Sequence, residues 1–239
     1  MKYVPKGSPV LFNALIGLSA LLAIYLRQSG SDELFAIAKP TTTILVIILA
    51  ALWGDRNQPR YYYGLLVALV FCLAGDVLLL EESRFVFGLG AFLLGHSIFA
   101  YCFASFKGIF WDKSPLFVLL PFGMAYYVFL YPGLGKMAIP VAVYFVFILF
   151  MCWQGLCLYL WRREAAFRAV ALGCVLFVAS DAVIGLNKFY QPFEWAGMVI
   201  LSTYWLAIAL LANSSYLLRK STQEHDMVAQ PDLNEKIAG

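Results

Sequence analysis

Of the 239 residues, 62% are hydrophobic and 13% charged, with 17 Lys and Arg against 14 Asp and Glu. A charged share about half that of an average soluble domain excludes a water-soluble globule. The net charge of +3 is spread over the ends of apolar runs rather than gathered in a stripe or patch, so no nucleic-acid partner is expected.

In chain order, residues 7–26 form the first run without Asp, Glu, Lys or Arg. It follows Lys2 and Lys6 like a secretory leader, but its length and the absence of a small-residue cleavage pattern predict an uncleaved first span. Residues 34–53 follow, interrupted by Lys39, then 62–80, interrupted by Asp76. Residues 85–106, 114–135 and 137–161 carry no charge, 167–186 are interrupted only by Asp181, and 195–218 are again uncharged. A bilayer takes about 20 apolar residues per helical crossing, and nothing alternates as barrel strands do. The expected fold is all-α: a polytopic membrane protein with a single bundle of eight transmembrane helices over residues 1–219. Residues 220–239, polar, mixed in charge and holding Pro231, are expected to form a disordered cytoplasmic tail.

Eight spans put both termini on one side, and twelve of the 17 Lys and Arg residues fall there, against Arg27, Lys39, Arg84, Lys136 and Lys188 on the other. The positive-inside rule then places both termini in the cytoplasm, in a bacterial inner membrane or an endoplasmic reticulum. All five cysteines lie within runs, with no CxxC spacing and no His/Cys cluster, so neither disulfides nor a metal are expected. The absence of paired Gly/Pro-broken spans in matching halves weighs against a carrier.

The polar exceptions inside the runs carry the functional argument. A carboxylate within a span costs about 2.5 to 3.5 kcal/mol on insertion scales, so it faces the bundle interior and marks a working site more often than not. Asp76 lies roughly 6 Å from the non-cytoplasmic end of its helix and Asp181 roughly 9 Å from the same end of another, at 1.5 Å per residue. They are therefore nearly level, as a paired acid/base site requires; the plainer alternative is that each ties its helix to a Ser or Tyr on a neighbour. His96, the sole histidine within a span, shares a helical stripe with Phe92, Phe99 and Phe103 and reads equally well as a satisfied core residue. Lys39 with Thr41, Thr42 and Thr43, Asn187 with Lys188, and Ser202, Thr203 and Tyr204 gather further polarity at the same end. Lysines at that height also snorkel to membrane-lipid phosphates, which is the competing reading for Lys39 and Lys188.

Taken together, Gly75-Asp76, Gly88 through Gly95-His96 with Phe99 and Phe103, Ser180-Asp181, Asn187-Lys188-Phe189 and Ser202-Thr203-Tyr204 resemble the motifs of the YhhN family of eight-span membrane proteins. Lys39-Pro40, and Pro140 with Tyr144, extend the resemblance over about residues 35–212. It implies a lysoplasmalogenase, hydrolysing the vinyl ether of lysoplasmenyl-ethanolamine or lysoplasmenyl-choline to a fatty aldehyde and a glycerophospho-headgroup, with no cofactor. One position departs from the family pattern: Ile208 stands where a Gln is expected four residues after Tyr204.

Vinyl ether hydrolysis protonates the β carbon, leaving an oxocarbenium-like centre that water attacks. It asks for one carboxylic acid and one carboxylate, the division of labour of a glycosidase. The sequence expectation makes Asp76, beside Gly75 and followed by Val77 to Leu80, the acid, and leaves Asp181 ionised near Lys188. His96 then orients a carboxyl or the water, Lys39, Asn187 or Lys188 holds the phosphate, and Ser202, Tyr204 and Tyr144 complete the substrate site. Rival readings are a proton-coupled carrier of a small amphiphile, since two carboxylates and a histidine also make a relay, and a non-catalytic lipid-binding scaffold.

Overall fold

The computed structural model describes the backbone of residues 8–238 and the side chains of residues 8–224. Eight α-helices follow one another: α1 (Pro9–Gln28), α2 (Asp32–Trp53), α3 (Pro59–Leu78), α4 (Phe85–Ala104), α5 (Leu116–Leu134), α6 (Ala138–Trp161), α7 (Ala165–Phe189) and α8 (Ala196–Ala238). No strand occurs among the described residues. Seven helical stretches are long and apolar enough to cross a membrane; one of them, the 46-residue Leu116–Trp161, contains both α5 and α6.

The helix ends follow local chemistry. Proline opens α1 and α3, where its missing N–H costs nothing, and Asp32 and Glu33 sit in the first turn of α2, facing the positive end of the helix dipole. α5 stops at Gly135, whose φ of 50° lies in the left-handed region open to glycine; a 3₁₀ turn over Gly135–Met137 leads into α6, which packs back along α5.

From neighbour to neighbour the helices run α1, α2, α3, α4, α6, α7, α8 and back to α1, and α8 also touches α2 and α3 across the ring. α5 lies outside this ring, against α6 and α7. α3 and α4 approach closely at Gly75, where a Cβ would stand 2.5 Å from the ring of Phe92. At the end of the bundle holding the α2–α3 and α4–α5 loops, buried hydrogen bonds tie loop to helix. The Asp55 N–H donates to Ser215 Oγ (2.9 Å), the Phe110 N–H donates to Gln154 Oε1 (2.9 Å), and Gln154 Nε2 donates back to the Phe110 carbonyl (3.2 Å). These bonds satisfy backbone groups with no water to turn to. The functional polarity collects at the other end.

Candidate active site

Two three-helix junctions hold the intramembrane charges. In the first, between α2, α3 and α8, Asp76 is 1% exposed. Its Oδ2 accepts from Thr43 Oγ1 at 2.6 Å and from the Tyr204 hydroxyl at 2.8 Å. Lys39 Nζ donates to the Asp76 main-chain carbonyl at 3.1 Å and stands 3.5 Å from Oδ1, an ion pair without a hydrogen bond to that oxygen. Trp205 Nε1 donates to Thr43 Oγ1 at 3.3 Å and fixes the threonine from behind. Pro40 places no amide one residue past Lys39, so α2 lacks one backbone hydrogen bond beside the lysine.

In the second junction, between α4, α6 and α7, Asp181 accepts a hydrogen bond from the Tyr144 hydroxyl through Oδ2. His96 Nε2 lies 4.0 Å from the same oxygen. The imidazole is fully buried, its ring T-shaped against Phe177 at 4.5 Å and Tyr144 at 5.4 Å, and neither of its nitrogens has a hydrogen-bond partner among the described residues. A buried ring with two unsatisfied nitrogens is costly unless something polar, such as a substrate or water, visits it.

An aromatic wall separates the junctions. Phe92, Phe177 and Tyr204 meet edge to face with centroids 5.5 to 6.1 Å apart. No direct hydrogen bond joins the two carboxylates, and each is held by its own set of partners, Asp76 by Thr43, Tyr204 and Lys39 and Asp181 by Tyr144.

Two cavities lead to them. A narrow apolar slot runs between α4, α6 and α7 to α5; Phe92, Tyr144, Ile148 and Asp181 are among its walls. A polar vestibule of about 1090 Å³ opens at the end of the bundle, walled among others by Arg27, Lys39, Asn187, Lys188, Glu194 and Trp195. Leu79, Phe85 and Ile184 line both, so the slot and the vestibule adjoin. Asp76 lines neither; Lys39 stands between it and the vestibule.

The other expected site residues divide accordingly. Asn187 lines the vestibule and accepts from the Phe193 N–H through Oδ1 at 3.1 Å, holding the α7–α8 connection. Lys188 lines it too, paired with Glu82 and lying 5.2 Å from the Phe85 ring centre. Hydrogen bonding from that lysine holds the Glu82 carboxyl below its ordinary range. Ser202 is exposed on α8, donates to the Met198 carbonyl at 2.6 Å and lines neither cavity. Of the phenylalanine stripe, Phe92 reaches the slot, while Phe99 and Phe103 stack on each other in the core. Arg27, Asp32, Glu194 and Trp195 line the vestibule as well; their shared signal in the sequence is a position within a few residues of a span end on the side of Lys39 and Asn187. Among the described residues no group of three His, Cys, Asp or Glu side chains gathers in a way that could hold a metal ion.

The YhhN family model matches residues 34–215, which include both junctions. The chain belongs to the YhhN family. Among its relatives, Lysoplasmalogenase TMEM86A of Bos taurus is 29% identical over 231 residues, covering 93% of this chain and 86% of the bovine protein. Lysoplasmalogenase TMEM86B of Homo sapiens is 30% identical over 185 residues, 77% of each chain. The membrane protein YhhN of Escherichia coli O157:H7 is 28% identical over 203 residues, 84% of this chain and 96% of that one. No solved structure matches the chain. In this YhhN member Ile208 is fully buried in the apolar core and lines neither cavity, so the side chain that replaces the expected Gln supplies packing.

Proposed function

We propose that this YhhN protein is a lysoplasmalogenase, hydrolysing the vinyl ether of lysoplasmenyl-ethanolamine or lysoplasmenyl-choline to a fatty aldehyde and the corresponding glycerophospho-headgroup. The observation that carries the reading is the junction of an apolar slot with a polar vestibule beside Asp181. A single-chain lysolipid has the same division, a hydrocarbon tail and a zwitterionic head, with the vinyl ether at the boundary between them. The relatives named lysoplasmalogenase, 29% and 30% identical over most of both chains, point to the same reaction.

With the alkenyl chain entering the slot from the vestibule, the vinyl ether passes Ile184 at the junction and meets Asp181, about one helical turn deeper on α7, with Tyr144 bonded to it. Asp181 donates a proton to the β carbon, and the electron pair of the double bond forms the new C–H bond. The ether oxygen shares the positive charge left on the α carbon. The Asp181 carboxylate, now facing an oxocarbenium ion, stabilises it and takes a proton from the attacking water, which restores the acid. Collapse of the hemiacetal breaks the C–O bond, passes the hydroxyl proton to the departing glycerol oxygen and frees the aldehyde. His96, with a free ring nitrogen 4.0 Å from the acid, accepts a hydrogen bond from the water and orients it. Tyr144 keeps Asp181 aimed into the slot.

The roles expected from sequence are thereby exchanged. Asp181 lines the cavity with only the neutral imidazole of His96 and the Tyr144 hydroxyl beside it, whereas Asp76 is engaged by Thr43, Tyr204 and Lys39 behind the cavity wall. Asp76 acts as a positioning residue: it holds Lys39 at the vestibule floor and Tyr204 in the aromatic wall.

In the membrane, α5 and α6 each cross once, which gives eight spans with both termini and the residues from Lys220 onward in the cytoplasm, and the vestibule opens on the opposite face. The test is aldehyde release from lysoplasmenyl-ethanolamine by the purified protein in detergent. Release by the wild type and none by a folded Asp181→Asn variant is expected. Wild-type rates from that variant would overturn the site, and no release from the wild type would overturn the reaction.

A further inference from the structure

The charges lining the vestibule do not balance where the headgroup would sit. Three cations line it, and each already has a carboxylate partner: Arg27 with Asp32 at 2.9 Å, Lys39 with Asp76 at 3.5 Å, and Lys188 with Glu82. Glu194 also lines it and has neither an ion-pair partner nor a hydrogen-bonded one among the described residues. On either side of it in the α7–α8 connection are Phe193, 42% exposed, and Trp195, 64% exposed, and both line the same cavity. The connection is held in shape: the Phe193 N–H is bonded to Asn187 Oδ1, and the Ala196 N–H donates to the Phe193 carbonyl at 3.1 Å. An uncompensated carboxylate whose two sequence neighbours are exposed aromatic residues of the same cavity wall offers the chemistry that recognises an alkylammonium ion, by charge and by cation–π attraction together.

We propose that Glu194, with Trp195 and Phe193, forms an ammonium subsite at the vestibule rim, which selects lysolipids whose headgroup ends in a primary or quaternary amine. The inference rests on the lysoplasmalogenase reading for the nature of the ligand and adds the part of the headgroup that is recognised and the residues that do it. The phosphate then lies inward, where it meets Arg27 and Lys39 by sharing them with Asp32 and Asp76. The amine supplies the one charge that the cavity lacks.

The test separates the subsite from the reaction by using ligands that cannot be hydrolysed. Binding of saturated 1-O-alkyl lysophospholipids to the purified full chain is measured for ethanolamine, choline and amine-free glycerol headgroups. The wild type should bind the two amine-bearing lipids about fivefold more tightly than the glycerol one, the scale of an exposed ion pair supported by an aromatic ring. Glu194→Gln should erase that ratio and leave affinity for the glycerol lipid unchanged; Trp195→Leu should weaken the choline lipid alone or most. An equal change for all three headgroups, or an unchanged ratio, would overturn the subsite. Glu194 is exposed, so the variant should melt at the wild-type temperature, and a fall in Tm with no change in the ratio would assign it to the start of α8 instead. Absence of aldehyde release from vinyl ether substrates would remove the hydrolase reading, while the binding ratio still decides the subsite.

Discussion

At the scale of single residues, the two buried carboxylates should fail in different ways when altered. Asp181→Asn removes the transferable proton while keeping the shape and the Tyr144 contact, so kcat should fall by about 10² to 10⁴, the usual contribution of a positioned proton donor, with the melting temperature unchanged. Tyr144→Phe, which leaves Asp181 without its hydrogen-bond donor, should cost about tenfold in kcat. Lys39→Met acts on the other junction: it leaves Asp76 buried without its cation, and breaking such a pair by one partner should destabilise the fold by about 3 kcal/mol. Adding Asp76→Asn should recover much of that loss, as read by thermal unfolding in detergent; equal and additive losses would show that the two do not interact. Asp76, Asp181, Lys39 and His96 could all be found from sequence because polarity inside a span is expensive and therefore conspicuous. The sharing-out of their neighbours could not. Whether Thr43 or Tyr144 meets a given carboxylate depends on which helices touch and how each is turned about its axis, and a helical repeat fixes only the turn within one helix.

Among the elements, the α3–α4 contact bears on the slot through Phe92, and it can be tested at Gly75. A Cβ there would stand 2.5 Å from Phe92, whose ring lines the slot and completes the wall with Phe177 and Tyr204. Gly75→Ala should therefore push that ring into the substrate path, lowering stability by about 1 to 3 kcal/mol and raising KM, and Phe92→Leu in the same chain should relieve both. Gly90, on the same pair of elements but with nothing within 4 Å of its would-be Cβ, is the control, and Gly90→Ala should leave KM alone. Loss of activity in the double variant, with the fold intact, would mean that the ring itself contacts substrate. The first seven helices could be read from the sequence to within about one turn at each end, since long apolar runs broken by charge, Pro or Gly leave little choice, whereas the backbone of α8 runs on as helix to Ala238, through the polar stretch expected as a disordered tail. Their order around the bundle was hidden: α4 packs on α6 and not on α5, a consequence of α5 standing outside the ring that no run length encodes.

For the whole molecule, the threading of the chain through the membrane turns on α5 and α6. Leu116–Trp161 is continuous in apolar character, yet the chain reverses at Gly135, with Lys136 in the turn. If α5 and α6 cross separately, Lys136 emerges on the face that carries Ser83 and the vestibule, and Ser114, in the α4–α5 connection, emerges on the other. All five native cysteines are buried, so a membrane-impermeant maleimide should find little background in intact cells. Ser83→Cys and Lys136→Cys should label from outside the cytoplasm, and Ser114→Cys only after the membrane is opened. Labelling of Ser83 and Lys136 on opposite faces would require an odd number of crossings between them. The termini would then lie on different sides, and the count of twelve basic residues against five would lose its meaning. Labelling of all three with the sides reversed would keep the eight crossings and turn the vestibule toward the cytoplasm. The reaction chemistry would stand in that case, because the slot, Asp181 and the vestibule move together as one rigid end of the bundle; only the compartment supplying the lysolipid and receiving the headgroup would change.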